Sequence, residues 1–99
     1  MVIVRGQIQA RLDTVDEVRR LSLEHVARSR AEAGCLEHGV SIDANDGLRF
    51  VFFERWVDAA ALLAHFALPA TRDFAAQARR LAAHPPEIAA YEASELPIR

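Results

Sequence analysis

Leu48-Arg49-Phe50-Val51-Phe52-Phe53-Glu54-Arg55-Trp56 is a strand that is apolar on both faces, and it decides how the rest of the chain is read. Strand side chains alternate, so Leu48, Phe50, Phe52, Glu54 and Trp56 share one side, and Val51, Phe53 and Val57 the other. Helices in a chain of 99 residues can cover only one face of a sheet. The second apolar face therefore implies a partner subunit, and the polar pair Glu54 and Trp56 on the first implies a lined cavity.

The turn Asp43-Ala44-Asn45-Asp46-Gly47 precedes this strand, and before it Leu36, His38, Val40 and Ile42 alternate with more polar residues. That predicts a hairpin. Upstream, residues 2–10 alternate as a first strand, in which Gly6 marks a bulge or a close approach. Thr14 and Glu17 have the spacing of a capping box, which opens a helix carrying Val15, Val18, Ser22, His25, Val26 and Ser29 on one stripe, with Gly34 as its left-handed terminator. Downstream, Asp58 caps a short helix from Ala59 to Phe66, Pro69 interrupts it, and a second stretch runs over about 70–83. Residues 87–96 then read as a fourth strand. The order β-α-β-β-α-β is the ferredoxin-like split β-α-β arrangement of the α+β class, a single domain over 1–99 with a four-stranded antiparallel sheet. Burying Val51, Phe53 and Val57 between two such sheets is worth very roughly 5 kcal/mol before ordering costs. A homodimer through the sheet faces is expected.

The composition narrows the function classes. Hydrophobic residues make up 52% and charged residues 26%, as in a folded globular domain. The formal charge of -2 is spread along the chain with no basic run longer than two arginines, so no nucleic-acid partner is expected. No apolar run is long enough to span a membrane, and the N-terminal apolar stretch is too short for a signal peptide. Cys35 is the one cysteine, which fits a reducing compartment and a cytoplasmic location. No two of the four histidines lie four apart on one helix, so no metal site is expected.

The ordered set Glu32-Ala33-Gly34-Cys35-Leu36, Arg49-Phe50-Val51, Glu54-Arg55-Trp56, Asp58, Ala61-Leu62, His65-Phe66 and Pro69 resembles the antibiotic biosynthesis monooxygenase family of small dimeric α+β barrel proteins. The resemblance covers nearly the whole chain. It implies a ferredoxin-like subunit, a sheet-to-sheet homodimer and a pocket between sheet and helices. Members of that family include cofactor-independent oxygenases of quinols and phenols, haem-degrading oxygenases and an isomerase of a phosphorylated signalling sugar. Haem degradation fits poorly, because an Asn of the first strand is replaced here by Gly6 or Gln7. The expected activity is oxidation of a small aromatic hydroquinone or phenol by O2 with no cofactor; the alternatives are the phosphosugar isomerase and a non-catalytic binding dimer.

Such chemistry needs a base, a dry pocket and donors to hold an anion. His65 is the expected base, since its ordinary pKa lies near working pH. Trp56 is expected to act with it, as a pocket wall that stacks on the substrate and donates its indole N–H. Phe52, Glu54, His38 and His25 fall on inward phases and are the expected substrate-binding residues. Glu54 is expected to pair with Arg5 or Arg49, because a buried carboxylate needs a partner. The competing reading, core packing for His25 and a satisfied core histidine for His38, is the stronger one for both.

Overall fold

The computed structural model describes residues 1–98. Its elements are β1 (Val2–Gln9), α1 (Val15–Arg30), β2 (Cys35–Asp43), β3 (Asp46–Trp56), α2 (Ala59–Ala67), α3 (Pro69–Leu81) and β4 (Glu87–Glu92). The sheet is antiparallel in the order β2-β3-β1-β4, which is the expected ferredoxin-like α+β fold with its second helical segment divided in two. Pro69 makes the division. At the first position of α3 its missing N–H costs nothing, while in a continuous helix it would have broken the ladder.

The opening strand sorts its faces as period two requires. Phe50, Phe52, Glu54 and Trp56 are buried under the helices, while Phe53 and Val57 are 40% and 50% exposed on the opposite side. The helix-side core has two parts. Ile8, Phe50, Phe52, Val18, Val26, Ala78 and Leu81 fill one, and Val2, Val4, Trp56 and Leu62 fill the other. Each large side chain so buried contributes about 1.5–3 kcal/mol. The ring of polar residues described below sits between them.

Four local expectations change and a fifth is decided between its alternatives. The Thr14 side chain makes no capping bond; its hydroxyl donates to Leu81 O at 2.8 Å and accepts from Arg11 N at 3.0 Å, tying the start of α1 to the end of α3. α1 ends at Arg30, and Gly34 lies beyond it with φ +83° at the entry to β2, so the left-handed residue was correctly placed but serves the turn and not the helix cap. The register between β2 and β3 shifts between Cys35 and Glu37, which puts Leu36 out of phase with His38 and leaves it half exposed. β4 stops at Glu92, short of Leu96, which is exposed. Gly6 sits in unbroken register opposite Phe52, so it marks a close approach and not a bulge; a Cβ there would lie 3.4 Å from Phe52 Cβ.

Candidate active site

A cavity of about 240 Å³ opens between β1, β3, β4 and α3. Its floor is Gly6, Ile8, Phe52 and Glu54; its walls are His25 of α1, His65 and Phe66 of α2, Phe74 and Ala78 of α3, and Pro86 and Ile88 at the start of β4. The bare backbone at Gly6 leaves the floor open where any larger residue would fill it. Somewhat below the usual range of about 300–1,000 Å³ for ligand pockets, the cavity suits a molecule of one or two rings.

Four of the six expected site residues line this cavity: His25, Phe52, Glu54 and His65. Trp56 and His38 do not, and for both the reason is topological. Trp56 lies two residues past Glu54, where Leu62 and Val2 enclose it completely, so its ring cannot stack on a cavity ligand. His38 sits on β2, the edge strand farthest from β4, and is buried opposite Glu54. Both stand behind the wall.

His65 is 2% exposed in the last turn of α2. Its Nδ1 lies 2.9 Å from both carboxylate oxygens of Glu32. A carboxylate only accepts, so Nδ1 is the nitrogen that donates to Glu32 and Nε2 is the one turned away from it. The Trp56 ring packs against the same imidazole at 4.6 Å between centroids. Together these fix the ring. Glu32 was quoted in the sequence for its place beside Gly34-Cys35, but a partner 33 residues away is not legible from spacing.

Glu54 finds neither Arg5 nor Arg49. Arg5 pairs in register with Phe53 and so shares its outward face, and Arg49 is engaged by Asp43 and Gln9. The Glu54 carboxylate instead accepts the Trp56 indole N–H at 2.9 Å, with His38 Nε2 3.3 Å away. Burial pushes the Glu54 carboxyl up, but the adjacent His38 ring, the Trp56 N–H and His65 outweigh it and hold the group below the ordinary glutamate value. The His38 approach is off the line of a hydrogen bond, so among the described residues both buried ring nitrogens of His38 lack a hydrogen-bond partner.

His25 stacks flat on Phe74, with centroids 4.1 Å apart and planes within 5°. Phe74 is thus a site residue that sequence reading placed only in the core. Burial first, then the neighbouring His38 and His65, push the His25 pKa down to about 3, so its ring is neutral at working pH. The Cys35 thiol is pushed up, by burial and then by Glu32 and Glu54, which keeps it protonated and unreactive. His84 is exposed, far from this constellation in role, with Nδ1 beside Pro85 O.

The comparisons with known proteins agree with the architecture. The model of the antibiotic biosynthesis monooxygenase family matches residues 1–77. A solved structure from Deinococcus radiodurans, described as a candidate antibiotic biosynthesis monooxygenase, is 30% identical, superposes with a TM-score of 0.94 and covers 100% of this chain and 98% of its own. Rv0793 from Mycobacterium tuberculosis is 26% identical with a TM-score of 0.89, covering 96% of each chain. The uncharacterised protein sll1783 of Synechocystis sp. is 34% identical over 94 residues. Those residues are 95% of this chain and 64% of the length of that relative. Among the described residues no helix is long and apolar enough to cross a membrane.

Proposed function

We propose that this chain, which belongs to the antibiotic biosynthesis monooxygenase family, oxidises a small phenol or hydroquinone with O2 in the cavity beneath α3. The observation that carries this reading is the buried His65 on the cavity wall, its Nδ1–H held by Glu32 and its Nε2 left to take a proton. A base oriented by a carboxylate is the geometry that general-base chemistry requires.

Ground-state O2 accepts electrons one at a time, and a deprotonated phenol can supply the first. In the proposed step the substrate O–H gives its proton to His65 Nε2, and the phenolate passes one electron to O2. The resulting phenoxyl radical and superoxide combine at a ring carbon to form a C–O bond and, after protonation, a hydroperoxide. Loss of water then leaves a quinone, so one oxygen atom of O2 ends in the product and the other in water. The apolar floor and walls keep water from competing and strengthen every interaction with the anion. Trp56 enters as a positioning residue, acting through His65 and Glu54. Among the described residues the one arginine lining the cavity is Arg79, a thin anchor for a phosphosugar and the reason the isomerase reading ranks second.

The test is oxygen uptake by metal-free protein with dihydroxynaphthalenes. His65→Ala is expected to lower the protein-dependent rate about 100-fold or more, the usual contribution of a positioned base. Glu32→Gln is expected to lower it less and to shift the pH profile, since a neutral amide orients the ring without stabilising its cation. A wild-type rate no higher than autoxidation overturns the reading for these substrates. The proposed homodimer uses Val51, Phe53 and Val57, supported by the exposure of the last two on the face opposite the helices.

A further inference from the structure

Three histidines that lie far apart in sequence converge behind and along the cavity wall. His25 comes from α1, His38 from β2 and His65 from α2, and one ring nitrogen from each lies within 4.8 Å of the other two. All three are buried, with ring centroids 5.3, 5.3 and 5.7 Å apart. Filling space does not by itself call for a histidine at His38. A phenylalanine or leucine would fill the same space and leave no polar atom to satisfy, whereas His38 is 1% exposed with both nitrogens unpartnered.

We propose that His25, His38 and His65 bind a divalent first-row transition ion. Three imidazole ligands suit Zn²⁺, Co²⁺, Ni²⁺, Cu²⁺ or Fe²⁺, and not the oxygen-seeking Mg²⁺ or Ca²⁺. Nitrogens held about 2.0–2.1 Å from a tetrahedral ion are about 3.3 Å apart, so the widest pair closes by at most 4.8 − 3.3, or about 1.5 Å, within reach of side-chain rotation. The surroundings also fit. Glu32 on His65 Nδ1 is the carboxylate–histidine arrangement that fixes a ligating ring and leaves Nε2 for the metal. Glu54 beside His38 supplies a buried negative charge to offset the ion. Because His25 and His65 also line the cavity, the ion's fourth position faces it, open to an oxygen donor of a cavity ligand.

Binding of the ion does not rest on the oxygenase reading and is read without substrate. An ion there would occupy the His65 nitrogen that takes the substrate proton, which is why the oxidation above is assayed in metal-free protein. The experiment is a Co²⁺ titration of chelator-stripped, untagged, full-length chain, followed by visible absorption, with stoichiometry from equilibrium dialysis against Zn²⁺ and elemental analysis. One ion per chain and the intense visible bands of four-coordinate Co²⁺ are expected. His38→Ala and His25→Phe should bind at least about tenfold more weakly, Glu32→Gln should lose affinity on a similar scale while keeping one ion per chain, and His84→Ala should match wild type. His25→Phe keeps an aromatic ring on Phe74, so it decides the matter if His38→Ala does not fold. No saturable binding by wild type, or equal affinity in wild type and a His25→Phe chain folded by circular dichroism, overturns the proposal.

Discussion

His25 lies on the inward stripe of α1, flat against Phe74, where its ring is held neutral with a pKa pushed down to about 3 by burial and then by His38 and His65. In the unfolded chain the same ring takes a proton near pH 6.5. Below that pH the unfolded state binds a proton that the folded state refuses, so stability is present above about 6.5 and is lost as pH falls toward 3. Glu54 acts in the same direction, but only below the ordinary glutamate range, so the interval from pH 6.5 to 4.5 isolates His25 from it. Over that interval metal-free wild type is expected to lose about 2 kcal/mol more than His25→Phe, measured by urea unfolding with chelator present. Equal losses in the two chains would remove His25 as the cause. At this scale the sequence shows a phase and not a partner. Period two put Glu54 on the helix side, yet the arginine proposed for it was wrong, because register sends Arg5 outward with Phe53. The role of Glu32 is hidden in the sequence for the same reason: its partner, His65, lies across the fold on α2.

Among the elements, the turn into β2 sets the position of α2 and so of His65. Gly34 has φ +83°, its carbonyl accepts Val57 N at 2.8 Å, and a Cβ built on it would lie 2.6 Å from Ala61 Cβ and 2.9 Å from Val57 Cγ1. Both the backbone and the space exclude a side chain. Gly34→Ala is therefore expected to cost about 2 kcal/mol in thermal or urea unfolding, as left-handed strain alone costs about 1–3; a loss under a few tenths would mean that the turn relaxes freely. Elements with strong local chemistry were legible. The Asp43–Gly47 turn, the Asp58 cap, whose Oδ1 accepts Ala61 N at 2.8 Å, and the Pro69 break all follow from nearest neighbours. The Thr14 and Leu36 readings failed where tertiary structure intervened: Leu81 claims the Thr14 hydroxyl, and a bulge shifts Leu36. Trp56 was assigned to the correct face but to the wrong end of it, since only the strand order β2-β3-β1-β4 reveals that the cavity lies on the β4 side.

For the molecule as a whole, the face opposite the helices carries Phe53, Val57 and Tyr91, each 40–50% exposed. A proposed second copy would cover them. Sedimentation at micromolar concentration is then expected to give about twice the 11.0 kDa chain mass, and Phe53→Glu, which places a charge at the centre of that face, to give the chain mass alone. A wild-type monomer would remove the sheet-to-sheet dimer from the account. Monomer or dimer, the cavity is built within one chain from β1, β3, β4 and all three helices, and the proposed oxidation rests on His65 in its wall. The most direct measurement of that link is mass spectrometry of the product formed from a dihydroxynaphthalene under ¹⁸O₂. A quinone bearing one ¹⁸O atom is expected, formed only with protein present and lost with His65→Ala. An unlabelled quinone accompanied by hydrogen peroxide, or label unaffected by His65→Ala, would contradict the proposed oxidation.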